Sequence, residues 1–293
     1  MRSSNPVFSR RGFSRDNGYA GFNAAPQAGG PAVGTQGNPY AQQGGNPYAQ
    51  NPYAQQGLPY GAPPQAPATT GRMTMDDVVV RSSMTLGTVV VGAVLAWALL
   101  PVSSTSYGLA IGSGLVAFVL AMVQSFKRVA SPALIIGYAA FEGIFLGVIS
   151  EMYNSVWHGA PFQAVLGTMA VTGATLLVYK AGWIRVTARY ARIGLTIAIA
   201  FIAVMAVNLL LVAFGIAPDG GLRSSGPLGA VVGILAILIG AFFLTLDFKQ
   251  IEDGITYGAP KEEAWLAAFG LTMTLVWIYI EMLRLVAIFS GRD

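Results

Sequence analysis

Glu142, Glu151, Asn208, Asp247, Thr274, Glu281 and Arg284 are polar side chains set within or at the ends of long apolar runs. An ionised group at the centre of a bilayer costs about 2.5–3.5 kcal/mol on insertion scales, so each of these residues needs a partner, a water-filled path or a proton. The chemistry open to them is the holding of protons and hard cations, because carboxylates and hydroxyls offer oxygen ligands. Bond-making chemistry has little support. The chain has one histidine, His158, and no cysteine, which excludes the HExxH zinc motif and any cysteine-ligated metal. No G-x-S-x-G and no P-loop occur. The expectation is a protein that is not an enzyme.

The elements that carry these residues are legible in the composition. The chain of 293 residues is 54% hydrophobic and 10% charged, against about 25% charged for a soluble domain. From Val78 onward seven apolar runs follow one another, at 78–100, 107–124, 132–153, 161–179, 193–217, 228–246 and 264–289. Each can span a hydrocarbon core of ~30 Å as a helix, the conformation that satisfies its own backbone in lipid. Thr74 ahead of Asp76 and Asp77 is a candidate N-cap for the first. Residues 1–72 differ in kind: Gly, Pro, Gln, Asn and Tyr dominate, with NPYAQ recurring at 38, 46 and 51. Such composition predicts a disordered cytoplasmic tail, serving as a spacer or as a Tyr/Pro docking segment for protein partners. The expected domains are thus this tail and a seven-helix transmembrane domain at 73–293.

Charge placement predicts orientation. Arg72, Arg81, Lys127, Arg128, Lys180, Arg185, Arg189, Arg192, Lys249 and Lys261 fall in alternate connections, while the opposite side holds Arg223 and Arg292. By the positive-inside rule the N-terminus is cytoplasmic and the C-terminus external. A body with a net charge near +1 is no nucleic-acid surface. In 180-KAGWIRVTARYARIG-194, Arg185, Arg189 and Arg192 would share one face of a helix lying along the inner leaflet.

Counted from the cytoplasmic helix ends at ~1.5 Å per residue, Glu142 and Thr274 lie about 15 Å deep, Glu281 about 25 Å, and Glu151 and Arg284 about 30 Å. Asp247 falls at the cytoplasmic mouth. Glu281 and Arg284 are i,i+3 neighbours and can pair on their own helix; a pair between Glu151 and Arg284 across helices fits the same depths. Glu142 lies near the midplane with no cation within four residues.

Three stretches together resemble the Bax inhibitor-1/YccA family, the transmembrane Bax inhibitor motif proteins, in a long-tailed bacterial branch. They are 131-SPALIIGYAAFEGIFLGVIS-150, 241-AFFLTLDFKQIEDG-254 and 267-AAFGLTMTLVWIYIEMLRLVAIF-289. The resemblance covers about 75–290 and leaves the tail outside. It implies a fold of seven transmembrane helices with one central helix surrounded by six. It also implies a proton-sensitive calcium leak, gated by two hydrogen-bonded aspartates on helices 6 and 7, with an arginine latch near helices 2 and 3. Asp247 matches the first aspartate and a weak calcium site. Thr274 falls where the second belongs, so that carboxylate is missing or replaced by another group. Lys127 or Arg128 is nearest to the latch. Some relatives instead act as non-conducting regulators that bind partners such as a membrane protease.

Overall fold

The computed structural model describes residues 71–127, 129–217 and 220–291. The predicted disordered tail, Arg128 and Arg292 therefore fall outside the described residues, apart from the tail's last two positions. The protein is all-α. Its seven helices are α1 (Met75–Leu99), α2 (Ser104–Phe126), α3 (Pro132–Val156), α4 (Ala160–Lys180), α5 (Ala188–Ala213), α6 (Pro227–Thr256) and α7 (Glu263–Ser290). All seven are long and apolar enough to cross a membrane. The shortest, of 21 residues, reaches about 31 Å.

Local chemistry sets the helix starts. Thr74 closes a capping box with Asp77, as the Thr-Met-Asp-Asp spacing predicts. Ser103 and Thr187 cap α2 and α5 through their side chains. Proline begins α3 and α6, where its missing N–H is no loss. Large apolar side chains cover the outward faces of α1, α2, α4 and α5, as lipid requires.

α7 is the hub. The Thr272 and Thr85 hydroxyls meet at 3.0 Å and join it to α1. The ring of Phe269 meets Tyr138 of α3 edge-on at 5.2 Å, in a cluster with Ala117 and Ala121 of α2. Met282 fills the space left by Gly167 of α4. Trp277 meets Phe201 of α5 at a tilt, with ring centres 6.5 Å apart, and donates its indole N–H to the Ala236 carbonyl of α6 at 3.1 Å. α7 packs on α1, α3, α4 and α6, while α2 packs chiefly on α3 and α5 reaches α7 through Phe201. α1 and α3 pack most closely. Gly92, Gly143 and Gly147 bring the two backbones together, and a Cβ at Gly143 or Gly147 would collide with α1.

Two expectations are corrected. α6 does not end at Asp247; it continues nine residues to Thr256, about 13 Å further. The apolar run ends near 246, but Lys249, Glu252 and Asp253 support further turns by pairing with one another. The segment 180–194 is not one surface helix. Residues 181–187 form turns and extended chain, with Gly182 at φ 72°, and Arg189 and Arg192 belong to the first turns of α5. Arg185 shares no helical face with them.

The start of the described chain is tied to the loop between α6 and α7. Arg72 bridges to Pro260 in antiparallel fashion, Met73 N–H donates to the Ala259 carbonyl at 2.8 Å, and Lys261 N–H donates to that of Gly71 at 2.8 Å. Side chains reinforce the link. Asp77 pairs with Lys261 at 3.0 Å, and Arg81 donates to the Lys261 carbonyl at 2.7 Å while resting over the Trp265 ring.

Candidate functional site

The predicted residues separate into a pair between α6 and α7, an isolated carboxylate on α3 and a cluster around Glu281, called the inner pair and the outer cluster below after the depths expected from the sequence. The inner pair joins α6 to α7. The Thr274 hydroxyl donates to Oδ2 of Asp247 at 2.7 Å. Oδ1 of Asp247 faces Gly270, where a Cβ would lie 3.2 Å from it. Gly270 and Thr274 are one turn apart, so α7 offers Asp247 one hydroxyl and one bare stretch of backbone. Thr274, the residue expected at the place of a second acid, is the one that meets Asp247. α6 continues past this pair in the charged turns that carry Lys249, Glu252 and Asp253.

A hydroxyl–carboxylate pair differs chemically from two acids. The hydroxyl donates to the ionised carboxylate and needs no shared proton. As a cation ligand the pair supplies one charge and two or three oxygens, where calcium takes six to eight. Among the described residues no three acidic or imidazole side chains converge, so a cation here would keep much of its water.

Glu142 sits on the stripe of α3 that faces α7, one turn from Tyr138 and one from Leu146, both packed on α7. Among the described residues it forms no ion pair. Asp247 flanks α7 from the side of α6 and Glu142 from the side of α3.

The outer cluster is built on Glu281, 5% exposed, and Arg284, 9% exposed. Arg284 donates through Nε and Nη2 to Oε2 of Glu281, at 3.2 and 3.0 Å. The other carboxylate oxygen accepts from Nη2 of Arg223 at 2.8 Å. Two guanidiniums therefore share one carboxylate. Gly233 of α6 leaves room for the guanidinium of Arg284. Arg223 belongs to a 3-10 turn, Gly221–Arg223, in the connection between α5 and α6. Asn208, 5% exposed on α5, holds that turn: its amide donates to the Gly220 carbonyl at 3.2 Å and its oxygen accepts from Leu222 N–H at 2.7 Å. Arg223 was counted only for topology in the sequence. A lone arginine in an apolar connection, with a buried asparagine nearby, is the signal that could have found it.

The pairing alternatives resolve in favour of the local one. Glu151 does not reach Arg284, and its Oε2 is buried without a hydrogen-bond partner among the described residues. Lys127 is exposed at the C-cap of α2, away from any ion pair among the described residues, so it does not latch Asp247 here. The other latch candidate, Arg128, lies outside the described residues.

Among curated proteins none matches the chain. A family model described as Bax inhibitor 1 like does match, over residues 5–291. The match extends through most of the tail, further than the resemblance carried by the membrane stretches. With seven long apolar helices and matched residues from one end to the other, this multi-pass membrane protein belongs to the Bax inhibitor 1-like family.

Proposed function

We propose that the protein is a pH-sensitive cation leak of the bacterial inner membrane, passing calcium down its gradient, with Asp247 and Thr274 as the inner gate. The observation that carries this reading is the 2.7 Å contact between them, which ties two long helices together through one ionisable group. Protonated, Asp247 presents no charge to a cation. Ionised, it becomes an attractive and weakly coordinating site, as conduction requires. Glu142 would serve as a polar step near the midplane. Glu281, held by two arginines, is poorly suited to bind a passing cation, so the outer cluster acts in structure rather than in transport. The N-terminus would face the cytoplasm, following the basic residues.

Calcium flux into liposomes containing the purified protein tests this. Flux above empty vesicles, rising with pH and flattened by Asp247→Asn, is the expected result. Flux equal to empty vesicles ends the channel reading.

A second reading, that of a non-conducting regulator with partners bound through the tail, is favoured by the pairing of residues 71–73 with 259–261, which fastens the tail's end to the loop joining α6 and α7. A stress phenotype that depends on residues 1–70 while ion flux stays unchanged would favour it.

A further inference from the structure

The elbow that joins α4 to α5 carries cations without counter-charges. Lys180 closes α4, Arg185 lies in the irregular segment after it, and Arg189 and Arg192 stand three residues apart on the first turns of α5, on one face. All four are exposed, and among the described residues none forms an ion pair. Arg192 donates through Nε to the Ala188 carbonyl of its own helix at 3.3 Å, which leaves its two terminal nitrogens free to face outward. No Asp or Glu occurs in the chain from 152 to 217.

The acids that come nearest belong to α6 and are already engaged. Val186 shares an open dent with Lys249 and Asp253, which sets the elbow beside the last turns of that helix. Asp253 pairs with Lys249 at 3.0 Å, while Glu252 accepts from Lys249 at 3.4 Å and from the Tyr179 hydroxyl of α4. With Lys249 added to the four elbow cations, and Glu252 and Asp253 set against them, three positive charges remain in excess. Tyr190 closes α5 on α6 through Thr245 and Phe242, so the space between the two helices takes no part, and Arg189 and Arg192 stay on the surface beside it.

The excess charge borders the apolar faces. Exposed Leu177 precedes Lys180 by less than one turn, and exposed Ile193 follows Arg192 directly. Trp183, 82% exposed, stands between them in the turn that Gly182 makes at φ 72°. An indole so placed suits the headgroup layer, where ring and N–H each find a matching surrounding. Arginine stems can lie along the apolar helix while their forks reach a phosphate, which they match in two bonds. The anion that comes joined to apolar chains is a phospholipid. The amine of a zwitterionic headgroup would meet only like charge at the elbow, so a net negative headgroup is preferred.

We infer that the α4–α5 elbow is a docking site for anionic glycerophospholipid of the phosphatidylglycerol type. Arg185, Arg189 and Arg192 meet its phosphodiester, Lys180 adds charge, and Trp183 settles among the headgroups.

Tryptophan quenching in liposomes containing the full chain tests this. Phosphatidylglycerol or phosphatidylethanolamine, brominated on the acyl chain close to the headgroup, is added to phosphatidylcholine at equal mole fraction. The signal is the part of the quenching that Trp183→Phe removes. It should be about threefold larger for phosphatidylglycerol, and the difference should shrink as sodium chloride is raised. The combined Arg185→Gln, Arg189→Gln and Arg192→Gln variant should abolish the difference, whereas Lys127→Gln, at an exposed cation on another helix end, should keep it. Should the triple variant not insert, the salt series on the unaltered chain carries the test. Inorganic phosphate should act no more strongly than chloride at the same ionic strength. Equal quenching by both lipids, a preference for phosphatidylethanolamine, a difference that ignores salt or survives the triple variant, or one erased by phosphate but not by chloride overturns the proposal.

Discussion

Thr274 is where residue identity sets the chemistry of the contact with Asp247: a hydroxyl donates to the carboxylate, where two acids in contact would share a proton. Under the proposed leak, a second acid introduced by Thr274→Asp should give calcium flux a steeper rise with pH than the unaltered chain shows, whereas Thr274→Val should leave flux dependent on Asp247 alone; proteoliposome flux from about pH 6 to pH 8 separates the three. At the outer cluster the asymmetry of exposure predicts asymmetric cost. Glu281→Ala strands buried Arg284, and breaking a buried pair from one side costs about 3–5 kcal/mol. Arg223 is a third exposed on its side chain, and its loss leaves the Glu281–Arg284 pair intact, so Arg223→Gln should cost about 1 kcal/mol or less. Unfolding in mixed micelles measures both. Thr274 was legible only through the resemblance of 267–289 to the family, which fixes its place along α7. Arg223 was not, because it arrives from a loop, and no periodicity ties a loop residue to its target.

The helices themselves were the most legible level. Long apolar runs in lipid have one backbone solution, and each predicted run falls on an observed helix. The departures have a common cause. Hydropathy marks where apolar residues stop, not where the helix stops, so the salt-bridged final turns of α6 went unseen. The arginines at 185–192 suggested one amphipathic face, but Gly182 turns the chain and Thr187 caps a new helix, which divides them. The packing of α1 on α3 predicts that Gly147→Ala, which drives a methyl into the α1 backbone, destabilises the bundle by about 1–3 kcal/mol, read as a lower unfolding midpoint. Asn208→Leu removes both bonds that hold the 3-10 turn and should cost about 1–3 kcal/mol while opening the α5–α6 connection to protease.

For the whole molecule the testable quantity is which end faces which compartment. The chain has no cysteine, so single cysteines report without background. A cysteine at Tyr257 should react with membrane-impermeant maleimide from the cytoplasmic side, and one at Ser225 from the outside. The helix count and the family were readable from the sequence because they rest on patterns spread over hundreds of residues. The Glu281–Arg284 pair was readable too, but the arrival of Arg223 there and the tie between 71–73 and 259–261 were not, because each depends on segments far apart in the chain meeting in space. That tie also gives the molecule a mechanical property. A pull on the backbone at Gly71 loads its hydrogen bond from Lys261 and the neighbouring Met73–Ala259 bond before it can unwind α1. Through Lys261 the load enters the short connection whose two ends lead directly into the helices carrying Asp247 and Thr274, so tension at that point acts across the hydrogen bond between them.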